Sequence, residues 1–543
     1  MKRMIALLLL LALLLSGCAP TVKAPTTAAS TDNSTEPVTT VPPEDPAQTA
    51  EPDDPVATKE AGTFGLSYLP NYGFNPYTCM ATANRATFSL IYESLFVVSK
   101  QFRAEPVLCK SFRVADDGKS YIFTLEPDAC FSDGTKVTAQ DVLVSVQAAR
   151  KSGMYDERLE DIVDMSAQED GTFRILLDTP YENFCLMLDV PIVKAGTVEE
   201  PKPIGSGPYW VAAKSLQRNR NWWQKTAPIV DAEEIPLTAA ETSNDLRDSF
   251  EFGETDLIYC DPNSAASGGY RCDYEAWGAP TTILHYIGFN LYSGYFANDA
   301  LRIAVTYAID RSQLATEVYG GFAQGTELPC NPSSDLFNAQ LADEHDYAPA
   351  KFSEALSNSG VLTSSEYANY AGFFLVCSED QTKVEAANRI CAVLKEAGLN
   401  LTVKAMERDA FLEALDDGDF DLYYAETRLT ANFDLSEFFS KNGNLQYGSI
   451  ANTGLAALCN DALENSGSYY DLCAQILGSA PICPVVFKSY AIFVTRGMLG
   501  NISPAVDFVF HTEENARTLS DADQTYAIPG TTEPDVPTET SAP

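Results

Sequence analysis

The stretch from Tyr121 to Ser145, YIFTLEPDACFSDGTKVTAQDVLVS, holds three local signals that agree with one another. Tyr121, Phe123 and Leu125 alternate with Ile122 and Thr124 in a β-branched and aromatic run, which predicts a strand. Asp133-Gly134 supplies a tight turn. Thr138 and Asp141 have the spacing of a capping box with Asp in the Glu position, and Val142, Leu143 and Val146 follow at helical spacing. The order strand, turn, capped helix belongs to an α/β fold. Many α/β proteins contain such a unit, so it carries no function by itself.

The chain around this unit is 543 residues long, more than one core holds, since single cores stop growing at roughly 250 to 300 residues. Two large lobes are therefore expected. Hydrophobic residues at 45% and aromatics at 11% indicate a folded body. The formal charge of −39 argues against nucleic-acid binding, which needs clustered Lys and Arg, and is compatible with cationic or zwitterionic ligands.

At the N-terminus, Lys2 and Arg3 precede the apolar run Met4 to Leu15, which has the layout of a secretory signal and is too short for a spanning helix. Leu15-Ser16-Gly17-Cys18 then resembles a bacterial lipobox, which implies S-lipidation of Cys18 and a mature protein anchored to the membrane by acyl chains. No later segment approaches an apolar stretch of about 18 residues. Ala19 to about Glu60, rich in Thr, Pro, Ala and acidic residues, is expected to be a disordered tether, and Ser520 to Pro543 a disordered tail. The other cysteines form no Cys-x-x-Cys pair, which disfavours zinc, and Cys185, Cys377 and Cys391 sit in apolar runs as small buried hydrophobes. Cys260 and Cys272 bracket a Gly/Ser-rich loop and are the one pair considered for a disulfide.

As a string, FSDGTKVTAQDVLVS resembles a signature of the family 5 extracellular solute-binding proteins, the peptide- and nickel-binding components of ABC importers; Phe131, Asp133, Gly134, Val137, Thr138, Ala139, Asp141 and Val142 fill its places. Further landmarks of that family follow in order. Asn75-Pro76 resembles its first loop, and Tyr92-Glu93-Ser94-Leu95 the end of a first helix within Ala83 to Val97. Glu105 to Phe112 stands for its Pro-x-Leu-Ala-x-x-Trp segment, with Asp116-Asp117-Gly118 a hairpin turn after it. Ile204-Gly205-Ser206-Gly207-Pro208-Tyr209 resembles a Gly-Thr-Gly-Pro-Tyr motif; it lacks a third Gly and a Walker Lys, so a structural turn is preferred to a phosphate cradle. Arg218 to Trp223, Gly253 to Leu257, and the helix Leu301 to Arg311 after Gly288-Phe289-Asn290 continue the match. Helices are expected over Tyr347 to Gly360 and Lys383 to Gly398, and a strand around Asp417 to Tyr424.

The resemblance spans about Gly62 to Arg517 and implies a two-lobe, periplasmic-binding-protein-like α/β fold of the class II type, with an extra subdomain and hinge closure around a central cleft. The implied division is 1–17 signal peptide, 18–60 tether, 61–95 first lobe, 96–202 extra subdomain, 203–289 first lobe continued, 290–485 second lobe, 486–519 return to the first lobe and 520–543 tail. A monomer is expected that delivers a peptide or other small polar solute to ABC permease subunits, with no enzymatic activity and no cofactor.

The resemblance implies ligand contacts from Tyr68 and Asn75, from Phe289 and Asn290, and from the loop residues Glu426, Thr427, Arg428, Asn432 and Asp434. Peptide-binding members carry in this loop an Asp that pairs with the peptide's α-ammonium; Asn432 stands there, so Glu426 or Asp434 must supply the carboxylate, or the solute lacks the ammonium. Arg428 is suited to meet a carboxylate. Asp416, Asp417, Asp419 and Asp421 lack the loop Gly and final Glu of an EF-hand and read as a turn into a strand. His285, His345 and His511 are far apart in sequence, which speaks against nickel or haem. A surface hydrolase lacks its Gly-x-Ser-x-Gly elbow or His-Glu-x-x-His helix, while a ligand-sensing receptor of the same fold remains the alternative to transport.

Overall fold

A computed structural model describes residues 63–511, apart from 225, 227, 265 and 501, together with the short strand Gln524–Thr525. The signal segment, Cys18 and the tether lie outside the described residues. No helix among the described residues is long and apolar enough to cross a membrane.

The initiating unit folds as its sequence indicates. Ser120–Leu125 is a strand, and the helix Ala139–Ala149 opens on a capping box in which Asp141 accepts from both the Thr138 backbone N–H (2.9 Å) and hydroxyl (2.6 Å). This strand lies in a sheet with Cys109–Val114, Phe173–Leu177 and Ile162–Ala167, all antiparallel. Gln524–Thr525 adds a fifth, parallel strand beside Phe112 and Arg113. That pairing corrects the expectation of a wholly disordered tail: an open sheet edge offers unpaired N–H and C=O groups, and a short segment satisfies part of them.

The main sheet has eleven strands and runs through both lobes. On one side Glu234–Ala239 and Leu257–Cys260 flank Leu66–Tyr68 in parallel. On the other, Gly372–Cys377 lies parallel to both Leu401–Met406 and Leu422–Arg428. Two long antiparallel strands, Tyr274–Phe289 and Ile482–Thr495, join these groups. Their register shifts between Pro280 and Leu284, where the buried Thr281 hydroxyl donates to Lys488 O and accepts from Ile283 N–H. A bulge of this kind bends a ladder and interrupts its pairing locally.

The helices match expectation within a turn at Pro349–Ser359, closed by left-handed Gly360, and at Gln381–Glu396. The expected first helix does not form as one element. It is two single turns, Thr82–Arg85 and Phe88–Ile91, after which Tyr92 is extended. Long-range bonds fix that break, because the Tyr92 hydroxyl donates to Phe74 O (2.7 Å) and Glu93 lies in a fully enclosed site.

The Gly-x-Gly segment lies against the same turn. A Cβ at Gly205 would sit 2.1 Å from Ile91 O, and one at Gly207 2.7 Å from Leu90 O, so close backbone approach requires both glycines. Behind them the Glu93 carboxylate accepts from Ser206 Oγ (2.8 Å), Trp222 Nε1 (3.0 Å), Trp223 Nε1 (2.8 Å) and Gln224 Nε2 (2.9 Å). Burial nevertheless pushes its carboxyl above the usual range. Cys260 and Cys272 are free thiols, and both pack in a small apolar cluster around Phe250, Tyr270 and Phe493. That settles the expectation for the pair as packing and not a cross-link.

Glu93→Ala strands four donors at once, so a loss of about 3 kcal/mol is expected, while Glu93→Gln keeps one acceptor oxygen and loses less. Urea unfolding followed by circular dichroism measures both; an unchanged midpoint for Glu93→Ala would remove this residue from the account of first-lobe stability.

Candidate functional site

The seam between the lobes is built from the loops that leave the main sheet. Phe102 and Phe433, both at φ 59, bring their rings to 4.9 Å across it, and Phe433 also meets Phe487 at 5.4 Å. Left-handed backbone is uncommon for large side chains and is held by the contacts around it. Arg103 reaches Asp335 through two bonds of 2.5 and 2.7 Å at the exposed rim. On the other flank the Thr382 hydroxyl donates to Asn263 Oδ1 (2.6 Å).

Along the long strands lies a cluster of charges centred on His285. This imidazole is buried completely; its Nδ1 is 2.8 Å from the Tyr319 hydroxyl and its Nε2 is 2.9 Å from Glu426 Oε2, out of line for a hydrogen bond. Lys383 Nζ is 3.3 Å from Glu426 Oε1, and Lys488 Nζ is 2.6 Å from Asp261 Oδ2. Burial lowers the His285 pKa from its ordinary value, against the opposing pull of Glu426. Burial would raise the Glu426 carboxyl, but the adjoining ring and the charges of Lys383 and Lys488 hold it well below the usual carboxylate range.

A second charged group forms where Arg428 leaves the Leu422–Arg428 strand. Arg428 lies 3.5 Å and Arg85 3.7 Å from the Asp507 carboxylate, and Arg158 is paired with Asp189 at 2.6 Å. Beside it is a pocket bounded by Arg85, Tyr155, Asp189 and Asp507 on its polar side and by Phe88, Val98 and Phe508 on its apolar side.

The residues expected at the ligand divide into two sets. Asn75 is committed to the fold: its Nδ2 donates to Val198 O and Glu200 O, and its Oδ1 accepts from Tyr77 N–H. Asn290 likewise donates to Gly418 O and Phe420 O and accepts from Tyr292 and Ser293 N–H. Phe289 packs on Phe296 in a separate apolar core, and Tyr68 stacks on Phe74 at the end of its strand. The loop residues gather at the seam. Glu426, Thr427 and Arg428 end a strand, Asn432 is buried with its Oδ1 accepting from the Thr430 hydroxyl (2.7 Å), and Asp434 accepts from Ser436 N (3.0 Å) and Ser436 Oγ (2.8 Å). Burial pushes the Asp434 carboxyl up, and among the described residues no cation lies within ion-pair distance of it. The acidic run ends as a turn: Gly418 is left-handed at the end of the helix Arg408–Asp417, and Asp421 accepts from Tyr295 N, Phe373 N and the Tyr370 hydroxyl. Among the described residues no group of three metal-ligating side chains occurs.

Arg85, Asp507 and Lys488 were not expected here. Their partners are hundreds of residues away in sequence, and a lone Arg or Asp in a loop carries no local signal.

The model of the bacterial extracellular solute-binding proteins, family 5, matches residues 103–445. The chain belongs to this family. It is therefore a solute-binding protein and not an enzyme, with the two-lobe fold of its relatives. The glutathione-binding protein GsiB of Salmonella typhi is 25% identical over 305 residues, 53% of this chain, and the family 5 protein described here spans 59% of that relative's length. The GsiB of Escherichia coli O1:K1 is similar at 26%. Among solved structures, the substrate-binding protein CtaP of Listeria monocytogenes superposes with a TM-score of 0.65 at 20% identity, covering 80% of this chain and 94% of that one. NikA of Brucella suis, in complex with Fe(III)-EDTA, gives 0.64 at 19%, covering 82% and 98%. The murein tripeptide binding protein MppA in its unliganded open form gives 0.65 at 16%, covering 80% and 94%.

Because the Glu426 carboxyl is lowered in the folded protein, its contribution to stability is present above the ordinary value of 4.5 and is lost as pH falls below it. The lowered His285 acts in the same direction, since the unfolded chain takes up its proton first. Thermal midpoints measured from pH 7 down to pH 4 should fall, and Glu426→Gln should flatten the lower part of that curve. A variant curve parallel to wild type would show that Glu426 is not coupled to folding.

Proposed function

We propose that this protein is the membrane-anchored receptor of an ABC importer, capturing a peptide or a similarly small zwitterionic solute between its lobes and delivering it to permease subunits. The observation that carries this reading is the Asp434 carboxylate, half-buried, accepting from Ser436, with no cation within ion-pair distance among the described residues. A carboxylate without a counter-ion is a natural partner for an ammonium group, and the pairing becomes strong as the cleft closes and water leaves. Asp434 lies two places beyond Asn432 and takes over the role that the amide cannot fill. The peptide class gains support from relatives that bind glutathione and a murein tripeptide.

In the same reading, residues 61–95, 203–289 and 486–519 form the first lobe, 290–485 the second and 96–202 the extra subdomain, while Cys18 carries the lipid that keeps the protein at the extracytoplasmic face. Closure pivots on the register shift near Thr281.

Two measurements test this. Calorimetry with trialanine and its N-acetylated form should show that Asp434→Asn weakens free-peptide binding by roughly thirtyfold, about 2 kcal/mol, and removes the preference for the free amine. Equal affinities of wild type and variant for both peptides would exclude Asp434 as the ammonium partner. In cells given labelled fatty acid, Cys18→Ala should carry no label; a labelled variant would rule out the anchor.

A further inference from the structure

Every cysteine among the described residues is a free thiol. Two of them, Cys330 and Cys473, meet inside one apolar core, at 0% and 1% exposure. Their neighbours bring them together. Cys473 lies on the helix Tyr469–Ser479, one turn after Tyr469 and on the same side of the helix. The Tyr469 hydroxyl is 3.1 Å from Pro329 O, the carbonyl directly before Cys330, and 3.2 Å from Phe433 O. The Cys330 backbone is held from its other side as well: the Thr326 hydroxyl lies 2.6 Å from Leu328 O and 3.2 Å from Cys330 O, while Thr326 N–H donates to Val485 O (3.0 Å) on a long strand of the main sheet. Burial and then the Cys473 thiol against it hold the Cys330 thiol well above its ordinary range, so in the folded protein it is protonated and inert.

Other thiols make no comparable pair. Cys459 also stands near Tyr469, but its polar neighbours are Leu435 and Ser436. Cys109 is close to Cys185, yet its thiol donates to Ser111 O (3.4 Å). Cys260 has Ser264 and Ser267 beside it, not Cys272. A disulfide forms only between cysteines whose side chains already face each other, and Cys330 and Cys473 do. The family is extracellular, and disulfides form and persist outside the cytoplasm.

We propose that Cys330 and Cys473 are joined by a disulfide in the exported protein, fastening the turn Thr326 to Cys330 to the helix Tyr469–Ser479. The bond is made during folding, before the core closes over the thiols. One cysteine thiolate attacks a disulfide carried by a small molecule or a protein outside the cytoplasm, which leaves a mixed disulfide and releases one carrier thiol. The second thiolate attacks the cysteine sulfur of that mixed disulfide and releases the other carrier thiol. The two cysteines give up two electrons and two protons, and the carrier disulfide takes them up as two thiols. The closed loop spans about 140 residues, long enough for the cross-link to restrict the unfolded chain strongly.

The test maps the cysteines of the purified exported protein. The chain is unfolded without reductant, its free thiols are blocked with iodoacetamide, and its digest is analysed by mass spectrometry. A peptide pair linked through Cys330 and Cys473 is expected, with both residues recovered as free thiols only after dithiothreitol. Reduction should lower the thermal midpoint by about 5 to 10 °C, and Cys473→Ala should begin at the lower midpoint and not respond to reductant. Recovery of both residues in alkylated form without reduction overturns the proposal, as does a bridge from either one to another cysteine. The mapping uses the wild-type chain, so it decides the matter even where Cys473→Ala fails to fold.

Discussion

The pairing of Tyr274–Phe289 with Ile482–Thr495 is the constraint on which the molecule depends, because these two long strands join the strands on one side of the main sheet to those on the other. A continuous ladder would make the lobes one stiff body. The register shift near Thr281 interrupts it, and the hydroxyl of Thr281 satisfies backbone groups that the shift would otherwise strand in a fully buried position. The ladder is interrupted at two register shifts, Pro280/Leu284 and His285/Tyr286, where its pairing is locally irregular.

Those groups differ in how fully they are satisfied. Around His285, Glu426 has an imidazole and an ammonium near it, and Lys488 has Asp261. Around Asp507, guanidiniums outnumber their partners and the contacts are long. Buried donors without close acceptors are uncommon in native proteins, and the second group is the less fully satisfied of the two.

Much of the fold was legible in the sequence because its signals are local. The capping box at Thr138 and Asp141, the left-handed Gly360 that ends a helix and the Gly-x-Gly turn depend on neighbours within a few residues or on the size of a single side chain. The cations of the Leu301 to Arg311 segment proved structural: Arg302 donates to Phe296, Ser479 and Ala480 carbonyls, and Arg311 to Thr306 and Pro484. The candidate site was legible only through the loop Glu426 to Asp434. Arg85 and Asp507 come from opposite ends of the folded body, and neither has a sequence neighbour that hints at the other. The break of the first helix at Tyr92 was hidden for the same reason, since Glu93's partners lie near residue 206 and residues 222 to 224.

The Glu93 enclosure also has an optical consequence. Two of the four tryptophans, Trp222 and Trp223, donate their indole N–H groups to one carboxylate inside the first lobe, so their emission is tied to the integrity of that enclosure. Trp277 lies instead on the long strand opposite Ile492, and Trp210 faces solvent. The chain therefore contains two separable fluorophore populations, one keyed to the assembly of a single lobe and the other including an indole on the strand that both lobes share.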